Sequence, residues 1–155
     1  MILIADSGST KTDWVLVDLN SKQKTSLSGI GLNPYYSDSK TISLALESLF
    51  NEIDISKVSH IYFYGSGCST GRNKKIIADG ISKVFPNTII EVKHDLAAAA
   101  RALCQNKSGI ACILGTGSNA ALYDGQNIIK EAVSLGYILG DEGSGYSLGK
   151  KLIHS

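Results

Sequence analysis

The sequence predicts an α/β domain with a mixed five-stranded sheet and flanking helices, followed by the start of a second, similar domain. Three observations predict this architecture. Short apolar runs separated by polar turns come first, strand-like and helix-like segments then alternate, and the opening pattern returns after residue 107. A meander of strands followed by β/α alternation is typical of a mixed sheet that is covered by helices.

The first elements are three predicted antiparallel strands. Residues 2–5 and 14–19 are continuous apolar runs, so the polar stretch between them is predicted to be the loop of a hairpin. A third strand is predicted over residues 25–32. The sequence GLNPYY, residues 31–36, then interrupts the pattern with glycine, asparagine and proline.

Strands and helices alternate in the next part of the chain. Apolar residues recur at three- and four-residue steps after Asp38 and predict a helix capped by Ser37 or Asp38. The elements predicted after it are a strand at 60–65, a helix at 73–85, a strand at 88–95 and an alanine-rich helix from 96. The predicted order is therefore βββαβαβα. The sequence GSGCSTGR, residues 65–72, is interpreted as a structural turn that leads into a helix.

The opening pattern is repeated in the last third of the chain. Residues 109–125, GIACILGTGSNAALYDG, contain an apolar strand, a turn of glycine and hydroxyl residues, and a second strand. This similarity predicts a weak internal duplication. We therefore predict one lobe over residues 1–107 and the beginning of a second lobe over residues 108–155.

Composition favours a globular protein that binds small molecules. The chain has 155 residues, of which 43% are hydrophobic and 19% are charged, as in ordinary globular proteins. It has 15 Lys and Arg against 14 Asp and Glu and no run of like charge, so neither a nucleic acid nor a membrane is expected as a partner. Three cysteines without a CxxC pair and an N-terminus without a signal pattern favour a cytoplasmic location.

Two turns have the composition of phosphate-binding loops. Residues 8–12, GSTKT, and residues 115–119, GTGSN, combine glycine with hydroxyl side chains, so that backbone N–H groups can converge on phosphate oxygens. Lys11 would add a cation, and Asp6 could hold Mg²⁺ through its water ligands. The spacing differs from that of a Walker A loop. An ordinary polar hairpin turn remains the alternative for each.

Carboxylates at two further places are candidates for chemistry. Asp95 ends a strand and precedes a helix, where it could act as a general base or only cap the helix. His94 is expected to point to the opposite face from Asp95, so a contact between them is not predicted. Asp141 and Glu142 lie in the glycine-rich segment 136–152 and could bind sugar hydroxyls, although a flexible loop with a solvated acid pair is the alternative.

Five sequence pieces in order resemble those of a known family. They are DSGSTKTDW, GLNPY, VKHDLAAAA, GTGSNA and GDEGSGYSLG. This set resembles the sugar kinase branch of the actin-like ATPase superfamily, specifically N-acetylglucosamine kinase and its BadF/BadG-type relatives. The resemblance covers the whole chain and implies ribonuclease-H-like lobes, ATP and Mg²⁺ as cofactors, and transfer of the γ-phosphoryl group to the 6-hydroxyl of an amino sugar.

The resemblance also implies roles for individual residues. Asp95 would activate the acceptor hydroxyl. The residues implied to face the sugar are Asn33, Thr116, Asn119 and Asp141. The residues implied to line the phosphates and the metal are Asp6, Gly8, Ser9, Thr10, Lys11, Thr12, Gly115, Thr116 and Gly117.

Some properties stay open at the level of the sequence. Such kinases continue well beyond the length of this chain, so we expect an incomplete chain that does not turn over ATP alone. A homodimer is compatible with the sequence. The alternatives on the same fold are a non-catalytic sugar sensor and an activator-type ATPase, and the loop GDEGSG has no cysteine with which an activator would hold an iron–sulfur cluster.

Overall fold

A computed structural model describes residues 1–133 and 135–154. By internal contacts the chain divides into two compact units, Met1–Asp95 and Leu96–Ser155. The strands are β1 (Ile2–Ser7), β2 (Lys11–Val17), β3 (Lys24–Ile30), β4 (His60–Gly65), β5 (Ile89–His94), β6 (Gly109–Leu114), β7 (Ser118–Tyr123) and β8 (Ile128–Glu131). The helices are α1 (Ser39–Leu49), α2 (Gly71–Val84), α3 (Asp95–Cys104), α4 (Gly136–Leu139) and α5 (Gly145–His154), with a 3₁₀ turn at Ile55–Lys57.

The first unit contains the predicted mixed five-stranded sheet. Its strand order is β3-β2-β1-β4-β5, with antiparallel pairing among the first three strands and parallel pairing of β1 with β4 and of β4 with β5. Ser7 therefore lies opposite Gly65, and Gly65 lies opposite His94. The carboxyl ends of β1, β4 and β5 thus meet at one edge of the sheet, which is where open α/β sheets carry their ligand sites.

The core of the first unit lies on one face of this sheet. Alternate residues of β1 and β4 are fully buried there, as the two-residue period of a strand requires. Trp14 is 1% exposed and packs against Phe50 and Phe63, with ring centroids 5.5 and 5.9 Å apart. Helices α1 and α2 also contact each other closely, because Gly80 of α2 leaves room for the side chain of Ile42. The apolar stripe predicted for α1 is thus buried as expected.

Helix starts in the first unit follow from capping side chains. Asp38 accepts a hydrogen bond from the Thr41 N–H at 2.7 Å, which selects Asp38 from the two predicted caps. The Thr70 hydroxyl caps α2 in the same way, so α2 begins at Gly71 and not at Asn73 as predicted. Gly67, with a φ of +79°, forms the turn before it. The prediction that residues 65–72 form a turn that leads into a helix is therefore confirmed.

The second unit repeats the opening of the first. Strands β6, β7 and β8 form an antiparallel three-stranded sheet in sequential order, as β1, β2 and β3 do. The sequence does not predict β8, because it has only four residues, of which the last two are charged. Ala100 of α3 packs with Ala111 and Tyr123 in the core of this unit. Helix α3 therefore groups with the second unit, so the division falls earlier than the predicted lobe boundary after residue 107.

The other face of the second sheet exposes large apolar side chains. Ile110 and Leu114 on β6 are each 70% exposed, and Leu122 on β7 is 41% exposed. Ile110 and Leu122 are neighbours across the strands, because they pair directly in the sheet, whereas Leu114 lies opposite Ser118. Across residues 1–133 and 135–154, no helix is long and apolar enough to cross a membrane.

We expect the two units to differ in local stability in the isolated chain. Amide hydrogens of β1 and β4 should exchange at least about tenfold more slowly than those of β6 and β7, because protection follows the burial of the surrounding apolar surface. Hydrogen–deuterium exchange followed by mass spectrometry or NMR measures this difference. Equal protection of the two sheets would show that the second unit is covered by contacts that its own small core does not supply.

Candidate functional site

The first candidate site begins with the hairpin turn between β1 and β2. The Gly8 N–H donates to the Lys11 carbonyl at 2.9 Å and closes the turn. The four residues at the tip, Gly8, Ser9, Thr10 and Lys11, are all exposed. The tip of the turn is therefore open to solvent, as the phosphate interpretation requires.

The base of this turn is held by buried hydroxyl groups. The Ser7 and Thr12 hydroxyl oxygens are 2.7 Å apart, and the Thr12 hydroxyl donates to the Ile30 carbonyl at 2.8 Å. Both residues are almost completely buried, at 1% and 0% exposure. The Thr12 side chain thus stabilises the hairpin on its buried face, and its hydroxyl group is not available to bind a phosphate.

Gly31, just after β3, supports the tip of the turn. Its N–H donates to the Thr10 carbonyl at 3.0 Å. A Cβ atom at this position would lie 2.4 Å from the carbonyl carbon and oxygen of Ser9 and 2.6 Å from the Thr10 nitrogen. Only glycine allows these two backbone segments to be so close, and the contact fixes where the turn lies.

Asn33 connects three loops at the same edge. It is 6% exposed, and its side-chain amide donates to the Ser9 hydroxyl at 3.0 Å and to the Ser66 hydroxyl at 3.5 Å. Its Oδ1 accepts from the Tyr35 N–H at 3.0 Å. Asn33 therefore holds the first turn against the loop after β4. Its contact with a sugar stays a prediction.

Asp6 and Asp95 lie at the carboxyl ends of β1 and β5. Asp6 is exposed, but loss of solvent around its carboxyl group raises its pKa, and the negative charges of Asp95 and then Asp13 raise it further. The predicted metal-binding carboxylate, Asp6, and the predicted base, Asp95, are thus close enough for their negative charges to repel each other. A cation placed there would relieve the repulsion between them.

Asp13 adds a third carboxylate near Asp6 and Asp95, and the sequence analysis did not predict it. It lies directly opposite Asp6 in the β1–β2 pairing, and its carboxylate is 2.9 Å from the Lys11 ammonium. Hydrogen bonding from Lys11 lowers the pKa of Asp13. Both side chains are more than half exposed, so this pair contributes little to stability. The strand alternation in KTDW, with Lys11 and Asp13 on one face, is the signal that could have revealed it.

The donor set fits a magnesium ion that keeps most of its water. Within the described part of the chain, no three His, Cys, Asp or Glu side chains are close enough to hold a metal ion together. Mg²⁺ is commonly bound through one or two carboxylates, substrate phosphates and several waters, without a full protein cage. The exposed Asp6 carboxylate beside an accessible turn meets that requirement.

The prediction that His94 and Asp95 do not contact each other is wrong. His94 Nδ1 lies 2.9 Å from Asp95 Oδ1, and the two side chains are 21% and 26% exposed. The prediction treated both residues as part of one strand. The strand ends at His94 and α3 begins at Asp95, so the alternation of side chains stops between them.

The second candidate site is the turn between β6 and β7. The Gly115 N–H donates to the Gly117 carbonyl, and the Gly145 N–H donates to the Gly115 carbonyl, each at 2.9 Å. Gly115 and Thr116 are exposed. The start of α5 therefore holds this turn in place through backbone contacts, and the turn keeps its tip accessible.

Asp141 packs against the same turn. Its Oδ1 is 3.4 Å from the Ser118 nitrogen, and a Cβ atom on Gly117 would lie 3.1 Å from its Oδ2. Asp141 has a φ of +61°, a left-handed conformation that aspartate tolerates better than most residues. An open cavity of about 370 Å³ is lined by Asn119, Asp141 and Glu142 among others. The structure thus brings together two of the predicted sugar residues of the second unit.

Comparisons with solved structures agree with this arrangement. The chain is similar to a candidate N-acetylglucosamine kinase from Porphyromonas gingivalis, at 43% identity and a TM-score of 0.92, over 100% of this chain and 56% of the other. A candidate N-acetylglucosamine kinase from Chromobacterium violaceum is similar at 21% identity and a TM-score of 0.73, over 99% of this chain and 55% of the other. A ROK family transcriptional regulator, a homolog of the E. coli MLC protein, is similar at 14% identity and a TM-score of 0.65, over 99% of this chain and 49% of the other. No family model and no curated protein matches the chain.

The sheet order, the repeated three-stranded unit and these likenesses define the class: the chain has the actin-like ATPase fold. The two likenesses below 25% identity support the fold alone. Within that class, the resemblance to N-acetylglucosamine kinases that the motifs predict is confirmed by the 43% identity over the whole chain. The chain spans 56% and 55% of the lengths of the two candidate kinases.

Proposed function

We propose that this chain is part of an ATP-dependent sugar kinase that phosphorylates the 6-hydroxyl of N-acetylglucosamine or a related amino sugar. The observation that carries the proposal is the edge of the first sheet, where the exposed turn at residues 8–11, Asp6 and Asp95 occur together. The 43% identity to a candidate N-acetylglucosamine kinase supports the choice of substrate class.

In this proposal Asp95 acts as the general base. Its carboxylate accepts the proton of the sugar hydroxyl while the hydroxyl oxygen forms its bond to phosphorus, and general-base assistance of this kind contributes about 10²–10⁴-fold to the rate. ATP with Mg²⁺ supplies the phosphoryl group and neutralises the charge on it. The chain contributes mainly by positioning and by electrostatic stabilisation, as is usual for phosphoryl transfer.

The remaining predicted residues bind and orient. Asp6 would hold the metal through water, and Ser9 and Thr10, at the exposed tip of the turn, would bind phosphate oxygens through their backbone N–H and hydroxyl groups. Residues 115–117 would do the same in the second unit. Asn119 and Asp141 would bind sugar hydroxyls, because carboxylate and amide groups pair well with vicinal hydroxyls. The Thr12 side chain is left out, since it is buried.

A panel of sugars tests this function directly. The natural protein that contains this chain should phosphorylate N-acetylglucosamine or glucosamine with ATP and Mg²⁺ in a coupled assay that detects ADP. Phosphate on the 6-position, located by NMR of the product, would support the proposed acceptor. No ADP formation with any hexose or hexosamine, under conditions in which the protein is folded, would overturn the proposal.

The same assay separates the kinase from a sugar sensor. The likeness to a ROK regulator shows the fold only, because the identity is 14%. Calorimetry that detects sugar binding by the natural protein, together with no turnover of ATP, would favour the sensor.

Asp6 should control binding of a divalent cation by the 155-residue chain. We expect Mn²⁺, used as a paramagnetic substitute for Mg²⁺, to broaden the NMR signals of residues near Asp6 at neutral pH. Because the pKa of Asp6 is raised, protonation should abolish this broadening at a higher pH than for an ordinary aspartate with a pKa of 3.8. An Asp6→Asn variant should show no local broadening at any pH.

The matched control for that experiment is Asp79→Asn. Asp79 is on α2, where it pairs with Lys75 at 2.8 Å. This variant should keep the broadening near Asp6. Equal broadening in wild type and Asp6→Asn would remove Asp6 from the metal site.

A further inference from the structure

We infer that Asp13 is a positioning residue that holds the Lys11 ammonium group away from the tip of the first turn, so that a phosphate must compete with Asp13 for this cation. This role rests on the proposed function, in which the tip of the turn binds the phosphates of ATP. The observation behind it is the 2.9 Å distance between the Lys11 ammonium and the Asp13 carboxylate. Asp13 thereby sets how tightly the turn binds phosphate.

The backbone of Lys11 is fixed, whereas its side chain can move. Lys11 is the first residue of β2, where it lies opposite Ile30 of β3, and its carbonyl accepts from the Gly8 N–H at 2.9 Å. Its side chain is 62% exposed, and its charge is carried on a flexible four-carbon stem. Rotation about the bonds of the stem can therefore move the charge to another partner while the hairpin stays as it is.

The two alternative partners of the ammonium group lie on opposite sides of Lys11 along the chain. Ser9 and Thr10 precede it and form the exposed tip. Asp13 follows it on the same face of β2, because alternate residues of a strand point to the same side. The contact with Asp13 draws the ammonium along the strand, in the direction that leads away from the tip. A phosphate at the tip would have to draw it back.

Asp13 is held as a carboxylate in the position that this contact needs. Hydrogen bonding from Lys11 lowers the pKa of Asp13, and the charge of Lys11 and a hydrogen bond from Ser28 lower it further. Ser28 lies opposite Asp13 in the β2–β3 pairing, and Asp6 lies opposite it in the β1–β2 pairing. Like charges that face each other across two strands are destabilising, and the ammonium of Lys11 relieves this repulsion.

Two effects make Asp13 oppose the binding of a phosphate. Its negative charge repels the anion, and this effect does not depend on Lys11. The ion pair must also be broken, and an exposed pair of this kind is worth a factor of about two to five in an equilibrium constant. Only the second effect disappears when Lys11 has no charge. A double-mutant cycle therefore separates the two effects.

Binding of tripolyphosphate to the 155-residue chain, without metal, measures the cycle through the NMR signals of the Ser9 and Thr10 amides. Asp13→Asn keeps the shape of the side chain but cannot hold the ammonium by charge, and Lys11→Met keeps an unbranched, uncharged stem. We expect Asp13→Asn to lower Kd at least about threefold and Lys11→Met to raise it. In the Lys11→Met background the gain from Asp13→Asn should be smaller by a factor of about two to five.

The movement of Lys11 has a direct signature in the chain that carries both residues. The side-chain carboxyl ¹³C signal of Asp13, identified by its loss in Asp13→Asn, should shift at neutral pH when tripolyphosphate is added, because the hydrogen bond from Lys11 is lost. The shift should be much smaller in Lys11→Met. A shift of the same size in Lys11→Met would show that the ammonium does not leave Asp13.

The matched control for the binding experiment is Asp79→Asn. Asp79 also pairs with a lysine, Lys75, at 2.8 Å on the surface of α2, and its replacement should leave Kd unchanged. Equal gains from Asp13→Asn with and without the charge of Lys11 would overturn the role of Asp13 and leave the proposed function intact. If millimolar tripolyphosphate did not move the signals of Ser9 and Thr10, the phosphate-binding role of the turn would be overturned together with that of Asp13.

Discussion

Replacing Asp95 by asparagine should reduce kcat for sugar phosphorylation by about 10²–10⁴-fold, with small changes in the KM values. Asparagine has the same shape and can still cap a helix, but it cannot accept the proton of the sugar hydroxyl. The folded structure should therefore persist while the chemical step slows. Steady-state kinetics of the natural protein, with thermal unfolding of wild type and variant, measures both quantities.

A second, independent consequence of this substitution concerns Asp6. Loss of solvent and then the charge of Asp95 raise the pKa of Asp6, so removal of that charge should move the pKa part of the way back toward the ordinary value. Binding of Mn²⁺ near Asp6 should then extend to lower pH in Asp95→Asn than in wild type. Asp79→Asn serves again as the control, because it removes an aspartate whose ion pair with Lys75 is on the surface.

The kinetic measurement has its own contradicting outcome. A kcat for sugar phosphorylation that is unchanged in Asp95→Asn would remove Asp95 from the mechanism.

Replacing Gly31 by alanine should have the largest effect on the architecture of the first turn. The added methyl group would lie 2.4 Å from backbone atoms of Ser9, and backbone cannot give way as a flexible side chain can. We expect a loss of about 1–3 kcal/mol in the free energy of unfolding, the usual cost of overpacking. We also expect weaker nucleotide binding, because the exposed tip of the turn must move.

Urea unfolding followed by tryptophan fluorescence measures the stability of this variant. The chain has one tryptophan, Trp14, and it is 1% exposed, so its emission reports the core of the first unit. Gly71→Ala is the matched control, since nothing lies within 4 Å of a Cβ atom at that helix start. It should leave stability unchanged or raise it slightly, because alanine restricts the unfolded chain. Equal stability of the two variants would contradict the assigned role of Gly31.

The elements that were predictable are those with a regular pattern over several residues. The apolar stripe of α1 recurs at the helical period, and the apolar segments at residues 2–5 and 60–65 lie in β1 and β4, as predicted. The run at 14–19 also marks a strand, but β2 begins three residues earlier, at Lys11, and ends at Val17, because its pairing with β1 continues up to the turn. The short strand β8 could not be predicted, because four residues are too few to show a period. Its place follows from pairing with β7, which is a property of the sheet.

The candidate site was predictable in part for the same reason. Glycine and hydroxyl residues marked both turns, since few other residues suit a tight turn with accessible backbone. The composition of the turns did not indicate which of their hydroxyl groups face the solvent. Ser7 and Thr12 are paired across the hairpin on the buried face, whereas Ser9 and Thr10 are at the exposed tip. Extending the alternation of Leu3 and Ala5 to Ser7 would have predicted the first of these.

The sequence by itself determined the order of the elements in the first unit, the two turns and the place of Asp95 at the junction of a strand and a helix, because these depend on residues that are close in the chain. Tertiary structure alone decided that Asn33 holds the first turn, that Asp13 lies opposite Asp6, and that Gly31 must be glycine. Each of these depends on which distant segments pack side by side. The contact of His94 with Asp95 depends on the residue at which the strand gives way to the helix, and local periodicity does not specify that boundary.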